Sequence, residues 1–304
     1  MRDIRRSEAD VLAVRDLIAA VKPDILLLLR FDYDLDGAAL AAFADHLAEA
    51  GHPMTHRFAL RPNSGMATGL DLDGDGRMGT PDDAQGFGRF AGEGGMAILS
   101  RHPVDQAGLR NHSAFLWRDV PGALIPERDG NHFPAAEVFA VQRLSSTGHW
   151  QVPVVTASGA RLTLLTWHAG PPVFGGPMER NRRRNHDETM FWVHLLDGAL
   201  PALPPKAPFV LMGSSNLDPQ AGDGMREAMR RLREHPALQD PLPLGRRPGQ
   251  SAASSATAWW PRGPGELRVN YILPGADIEV VDAGLLWPES DTTHALVWVD
   301  VALP

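Results

Sequence analysis

The 304-residue sequence contains no cysteine. Disulfides, thiolate metal centres and cysteine nucleophiles are therefore excluded, while the compartment stays open, because many exported proteins manage without disulfides. No apolar run approaches the ~20 residues of a membrane-spanning helix, and no membrane partner is expected. The first 21 residues, MRDIRRSEADVLAVRDLIAAV, are charged throughout, without the apolar core or small-residue cleavage site of an export signal. An excess of positive charge is missing too: 29 Lys and Arg face 37 Asp and Glu, a formal net charge of -8. Non-specific nucleic-acid binding rests on Lys and Arg displacing counterions, so long nucleic acids are poor candidate partners, although a local basic cleft is compatible with this balance. No internal repeat is visible. What is present is ordinary globular composition, 43% hydrophobic and 22% charged, in a chain long enough for one large core. A single domain over 1–304, acting as a monomer, is expected.

Val11, Leu12, Val14, Leu17 and Ile18 recur at helical spacing, and Pro23 closes that segment. Asp24 to Leu29 is apolar after its first residue, the pattern of a strand buried on both faces. A second, alanine-rich helix is expected over 37–50, with further helices near 186–197 and 223–234. Strands are expected at Met96 to Leu99, Leu162 to Trp167, Phe209 to Met212, Val269 to Leu273 and Leu296 to Val301. The loose alternation of strands and helices predicts an α+β fold, a two-sheet sandwich flanked by helices. Residues 245–265 read as a long loop anchored by Trp259 and Trp260.

Residues 62–95 are crowded with Gly, Asp, Asn and Pro, and something must order so polar a segment. Asp71-Leu72-Asp73-Gly74-Asp75-Gly76-Arg77 leads to Asp82 in the pattern of a calcium loop, with acids at positions 1, 3, 5 and 12 and glycine at 6. Calcium takes several hard oxygens, and Asp71, Asp73, Asp75, the Arg77 carbonyl and Asp82 can supply them. A structural Ca2+ ordering this loop is the expectation, with modest affinity because Asp82 is shorter than the usual bidentate Glu. An ion-free Asp-Gly turn cluster is the alternative. The basic run Arg180 to Arg184 is read as structural, with Asp187 and Glu188 suited to a helix N-terminus.

Longer motifs follow in order. Arg143-Leu144-Ser145-Ser146 precedes His149-Trp150, and HAGPPVFGGPMERNRRRNHDE runs from His168 to Glu188. Then come Gly213-Ser214-Ser215-Asn216-Leu217-Asp218-Pro219, Arg268-Val269-Asn270-Tyr271-Ile272-Leu273-Pro274 and Thr293-His294-Ala295-Leu296-Val297-Trp298. From about residue 3 to 301 this series resembles the endonuclease/exonuclease/phosphatase superfamily. The resemblance implies the deoxyribonuclease-I-like fold: two packed, mostly antiparallel sheets with helices outside and the site where strand tips converge. It also implies phosphoester hydrolysis with Mg2+ or Mn2+, in which a Glu and Asp hold the metal, an Asp and His handle protons, and an Asn orients the nucleophile.

Several of those acids are replaced here. The family's metal-binding Glu before FDYD corresponds to Arg30, and a guanidinium cannot ligate a cation. The Asp of GDxN is Ser214, the Asp of RVDY is Asn270, the Asp of SDH is Thr293, and FDG has become Phe174-Gly175-Gly176. The matching residues carry over as catalytic remnants at His168, Asn216 and His294, with Arg30 and Asn270 as ligand-binding groups. The expectation is therefore a catalytically impaired homologue binding a small anionic, phosphate-containing ligand. Two alternatives stand: a working phosphoesterase or nuclease using Asp32, Asp34, Asp218 or Asp291 as substitutes, and a protein-interaction module. The family's first strand, ahead of the equivalent of Arg2-Asp3-Ile4, has no counterpart. If the true start lies upstream, an export signal there would place the protein in the periplasm or outside the cell; otherwise it is cytoplasmic.

Overall fold

The computed structural model of the protein describes residues 2–289 and 293–303. Among them, no helix is long and apolar enough to cross a membrane. The molecule is layered as helix, sheet, sheet, helix. One inner sheet runs Ile25–Phe31, Gly95–Ser100, His56–Ala59, all antiparallel. The other has five strands in the order Asn270–Pro274, Phe209–Ser214, Arg161–His168, His149–Val155, Arg110–Asn111, with a single parallel pair between Arg161–His168 and Phe209–Ser214. Glu279–Leu286 and Leu296–Ala302 form a separate antiparallel pair. This is the α+β sandwich of mostly antiparallel sheets that the sequence predicts.

Alternation along each strand sends one set of side chains between the sheets and the other toward the helices. Met96, Ile98, Trp150, Val152, Leu164 and Val210 fill the space between the sheets. Helices Ala9–Val21 and Ala38–Glu49 cover the outer face of the smaller sheet through Ile18, Leu40, Phe43 and Leu47. Helix Arg180–Leu196 lays Phe191, Trp192 and Leu195 on the outer face of the larger one, against Trp167 and Leu211.

Three expectations change. Helix Arg180–Leu196 starts earlier than the pattern implied, because Arg180 and Arg184 are buried and so break the polar appearance of its first turns. Asp187 and Glu188 therefore lie two turns in, away from the N-terminus. In the strand Ile25–Phe31 only Leu26 is buried and Arg30 is exposed, the rest being half-buried, where burial on both faces was expected of its apolar run. Strands His149–Val155, Glu279–Leu286 and His56–Ala59 were not anticipated, and Ala258–Trp260 forms a short strand within the stretch read as a loop. Pro153 disguised the first; at this outer edge Arg110–Asn111 pairs only with Trp150 and Gln151, and Pro153 itself takes part through its carbonyl, which accepts from the Asp105 amide at 2.8 Å beside an isolated bridge of Val104 with Val154.

One buried ion pair ties the loop after helix Arg226–Arg233 to the sheet. Arg268 grips Asp240 bidentately at 2.6 and 2.7 Å, and Arg233 adds a bond of 2.6 Å. Asp240→Ala is expected to cost about 3–5 kcal/mol, because it leaves a buried guanidinium unpaired; denaturant unfolding measures it, and a loss below 1 kcal/mol would contradict this.

Candidate functional site

The five singled-out polar residues meet at one end of the sandwich. His168 closes Arg161–His168 and stands in register with Ser214, which in turn pairs with Asn270. Asn216 follows two residues after Ser214, in the left-handed conformation (φ 51°), which its short polar side chain tolerates. It donates through Nδ2 to the Ala169 carbonyl at 2.7 Å. His294 lies just before Leu296–Ala302 and accepts at Nδ1 from Asn270 Nδ2 at 3.2 Å. That bond leaves the His294 proton on Nε2. Trp260 meets the His294 ring edge-on, with centroids 5.5 Å apart.

Arg30 enters from the opposite sheet. Leu29 pairs with Met96 and Phe31 with Gly95, so Arg30 is the extra residue of a bulge, at φ 57°. Bulges at strand ends re-aim a side chain, and here the guanidinium comes close enough to His168 and His294 to disfavour their protonation. Burial is the larger cause for both: it pushes His168 down to about 4 and lowers His294, with Arg30 adding to each. The His168 Nδ1 is buried and has no hydrogen-bond partner. Among the described residues, the Arg30 guanidinium has no ion-pair partner.

The carboxylates near these residues in sequence are engaged elsewhere. Asp34 caps a helix through the amides of Ala38 and Ala39 at 2.7 and 3.0 Å. Asp32 accepts from the Gly94 amide at 2.9 Å. Asp218 holds the amides of Gln220, Ala221 and Arg268. Asp291 lies outside the described residues. Ser214 and Ser215 are buried and give their hydroxyl protons to main-chain carbonyls of Val269 and Leu217. A divalent cation needs anionic oxygens, and this donor set, with a guanidinium among neutral rings, amides and hydroxyls, does not fit one. The cleft instead gathers N–H donors around one positive charge, suited to an anion. It is part of a cavity of about 1920 Å³.

The acidic loop is well formed but differently composed. Asp71 accepts from Gly74 and Gly76, Asp73 from Asp75, and Asp75 from Arg77, turning the loop on its own side chains. Carboxylate oxygens of Asp71, Asp73 and Asp83 come within 4.8 Å of one another. Asp82 and Asp75 are not in that group; Asp83 is the inward acid because the turn Pro81–Asp83 points it back to the amides of Leu72 and Thr80. Buried Arg180 feels the charges of Asp73, Asp82 and Asp83.

A buried network behind the cleft escaped the sequence reading. Arg184 donates to the carbonyls of Leu144, Arg143, Ser145 and Gln85. Glu188, one turn on, accepts from the Ser146 and Gly170 amides. Burial pushes its carboxyl up to about 7, opposed by Arg184 and by those amides. The i, i+4 spacing of Arg184 and Glu188 was the available signal. The network holds the Ser146 and Gly170 loops that flank His168.

No curated protein matches the chain. Solved structures do, at low identity. An endonuclease/exonuclease/phosphatase from Beutenbergia cavernae is 17% identical, with TM-score 0.56 over 97% of this chain and 66% of its own. A family protein from Leptotrichia buccalis is 13% identical, with TM-score 0.53 over 97% of this chain and 93% of its own. The mannosyl-6-phosphatase of Bacteroides thetaiotaomicron is 10% identical, with TM-score 0.52 over 100% of this chain and 95% of its own. These likenesses concern the fold. The model of the Endonuclease/Exonuclease/phosphatase family matches residues 2–293, and with nearly the whole chain covered, the protein belongs to the endonuclease/exonuclease/phosphatase family.

Proposed function

We propose that this protein is a catalytically impaired family member that binds a small anionic, phosphate-containing ligand at the Arg30 end of the cleft. The observation that carries the reading is the Arg30 guanidinium, without an ion-pair partner among the described residues and aimed by its bulge toward two imidazoles, while Asp32, Asp34 and Asp218 are committed to backbone amides. A guanidinium presents five N–H donors in a planar fork that matches phosphate oxygens. Arg30 thus takes the charge role that a metal has in relatives, while the unpartnered His168 ring and His294 Nε2 offer further contacts.

Turnover is expected to be at background. A serine hydroxyl cannot serve as general base near neutral pH, and each general acid–base group contributes ~100- to 10,000-fold. The test is titration calorimetry with orthophosphate and with sulfate, beside an assay of phosphodiesters and phosphomonoesters in Mg2+, Mn2+ and Ca2+. Absence of binding heat ends the anion reading and favours an interaction module. Turnover that vanishes on His168→Ala or His294→Ala favours a working phosphoesterase instead.

The pH dependence has a definite sign. Both imidazoles are neutral at pH 7 in the free site, since their pKa values are lowered. A bound anion favours the imidazolium forms, so binding takes up protons and sulfate affinity rises as pH falls from 7, levelling near pH 4. Sulfate keeps its own charge over that range. Affinity that stays flat, or weakens, between pH 7 and 5 would show that the histidines do not face the ligand.

The loop 71–83 is proposed to take Ca2+ through Asp71, Asp73 and Asp83, an acid trio already turned inward on a preformed loop. Saturating Ca2+ at 100 times its Kd is expected to stabilise the fold by about 2.7 kcal/mol, read as a rise in Tm. No shift in Tm would reject a calcium site here.

A further inference from the structure

Phe174 stands on the loop that leaves the site directly after His168: the carbonyl of Ala169, at the start of that loop, accepts from Asn216 Nδ2 at 2.7 Å. The residue is 88% exposed, more than any other Phe, Tyr or Trp among the described residues. Its backbone lies at φ 64°, a left-handed conformation that costs a bulky residue free energy. Glycine adopts this conformation freely, and the chain places glycine at the next two positions, Gly175 and Gly176. Neither packing nor backbone fit accounts for a phenylalanine here. The loop is nevertheless tied down on both sides of it: Asn181 Nδ2 donates to the Val173 carbonyl at 2.9 Å, and the Arg180 amide to the Gly175 carbonyl at 3.2 Å. A lone apolar residue on a surface needs no explanation, but strain held in place by fixed neighbours concentrates at ligand sites.

The surroundings of the ring define what it could hold. Pro172, Val173, Phe174, Gly222 and Asp223 line both the cavity that contains Arg30 and a second recess of about 900 Å³, so Phe174 stands on the rim between the two. Of these five, only Asp223 can hydrogen-bond through its side chain, and sugar hydroxyls would find few partners there. Trp260 brings a second aromatic ring to the cavity beside His294. We propose that the phosphate held at Arg30 carries an aromatic or heteroaromatic ring, and that Phe174 is the platform on which this ring stacks. This rests on the anion reading above and names the class of ligand within it. A flat ring covers the exposed face of Phe174 from water and gains the offset contact that aromatic pairs favour, while its charged end reaches the guanidinium.

Calorimetry with methyl, cyclohexyl and phenyl phosphate, AMP and ribose 5-phosphate tests this, without added divalent metal and at about pH 8, where all five are dianions. Phenyl phosphate is expected to bind about 10-fold more tightly than methyl phosphate, and more tightly than cyclohexyl phosphate, which has the bulk but no π face. If AMP exceeds ribose 5-phosphate by the same factor, the ring is a nucleobase; if those two are equal while phenyl phosphate is preferred, it is a small aryl group. In Phe174→Gly the preference for phenyl over methyl phosphate is expected to fall to about twofold or less. Its Tm should stay close to the parent's, because relief of the left-handed strain offsets the greater freedom of the unfolded chain. Phe174→Trp should keep the preference. Equal binding of methyl and phenyl phosphate overturns the platform and leaves the anion site standing, whereas binding of neither ends both. Cyclohexyl phosphate matching phenyl phosphate, or a preference that survives Phe174→Gly, also overturns the platform.

Discussion

An Arg30→Glu variant should bind orthophosphate about 10- to 100-fold more weakly than the parent, the loss expected when a charge-assisted hydrogen bond worth 1.5–3 kcal/mol is removed. Repulsion by the new carboxylate adds to it. Because Arg30 is exposed and sits in a bulge outside the ladder, the fold should tolerate the change, so unfolding midpoints of the two proteins should agree closely. Arg30→Lys separates charge from shape. A point charge retains attraction but loses the fork, and intermediate affinity is expected. The opposite gain is also informative: the carboxylate supplies the ligand that the family resemblance implies at this position, yet Ser214 and Asn270 remain without charge. Metal-dependent turnover should therefore stay at background in Arg30→Glu. If the variant binds phosphate as tightly as the parent, Arg30 is not the anion's partner and the proposed function fails with it.

The position of Arg30 shows what the sequence could and could not say. Its place just before Phe31-Asp32-Tyr33-Asp34, at the end of the apolar run, was legible in the sequence. Its direction was not, because a single left-handed residue after a run of leucines leaves no trace in periodicity. Apolar runs such as Phe209 to Met212 marked the central strands well, since both of their faces are buried. The same rule misjudged Ile25 to Leu29: a hydrophobic run reports where side chains are suited to go, whereas its burial depends on what else packs beside it. Asp82 and Asp83 are adjacent acids, and only the backbone turn of Pro81–Asp83 decides which faces Asp71. The site histidines had no local signature at all and came from matching motifs, while buried Arg184 and Glu188 were masked by the basic run around them.

Acid should destabilise this fold, and His149 is the main reason. Its ring is fully enclosed, stacked on Trp192 at 5.3 Å and edge-on to Phe191 at 4.8 Å. Nε2 donates to the Glu188 carbonyl at 3.0 Å, while Nδ1 has no partner. Burial therefore pushes its pKa down to about 3, and that of His168 down to about 4. In both cases the unfolded chain takes up the proton first, near pH 6.5. The stabilising contribution is complete above that pH and is lost as pH falls toward the folded values, at ~1.4 kcal/mol per pH unit for each histidine. Between pH 6.5 and 4.5 the pair should remove about 5 kcal/mol, of which the buried Glu188 carboxyl, pushed up to about 7, returns roughly 2 kcal/mol because the folded state takes up that proton first. His149→Gln keeps a donor for the Glu188 carbonyl but cannot be protonated. It should lower stability at pH 7, through lost stacking, and should cut the slope of unfolding free energy against pH by about one proton between pH 6 and 4.5. Urea titrations across that range measure the slope directly. A slope equal to the parent's would mean that His149 is already charged when folded, and that the enclosure around its ring admits water.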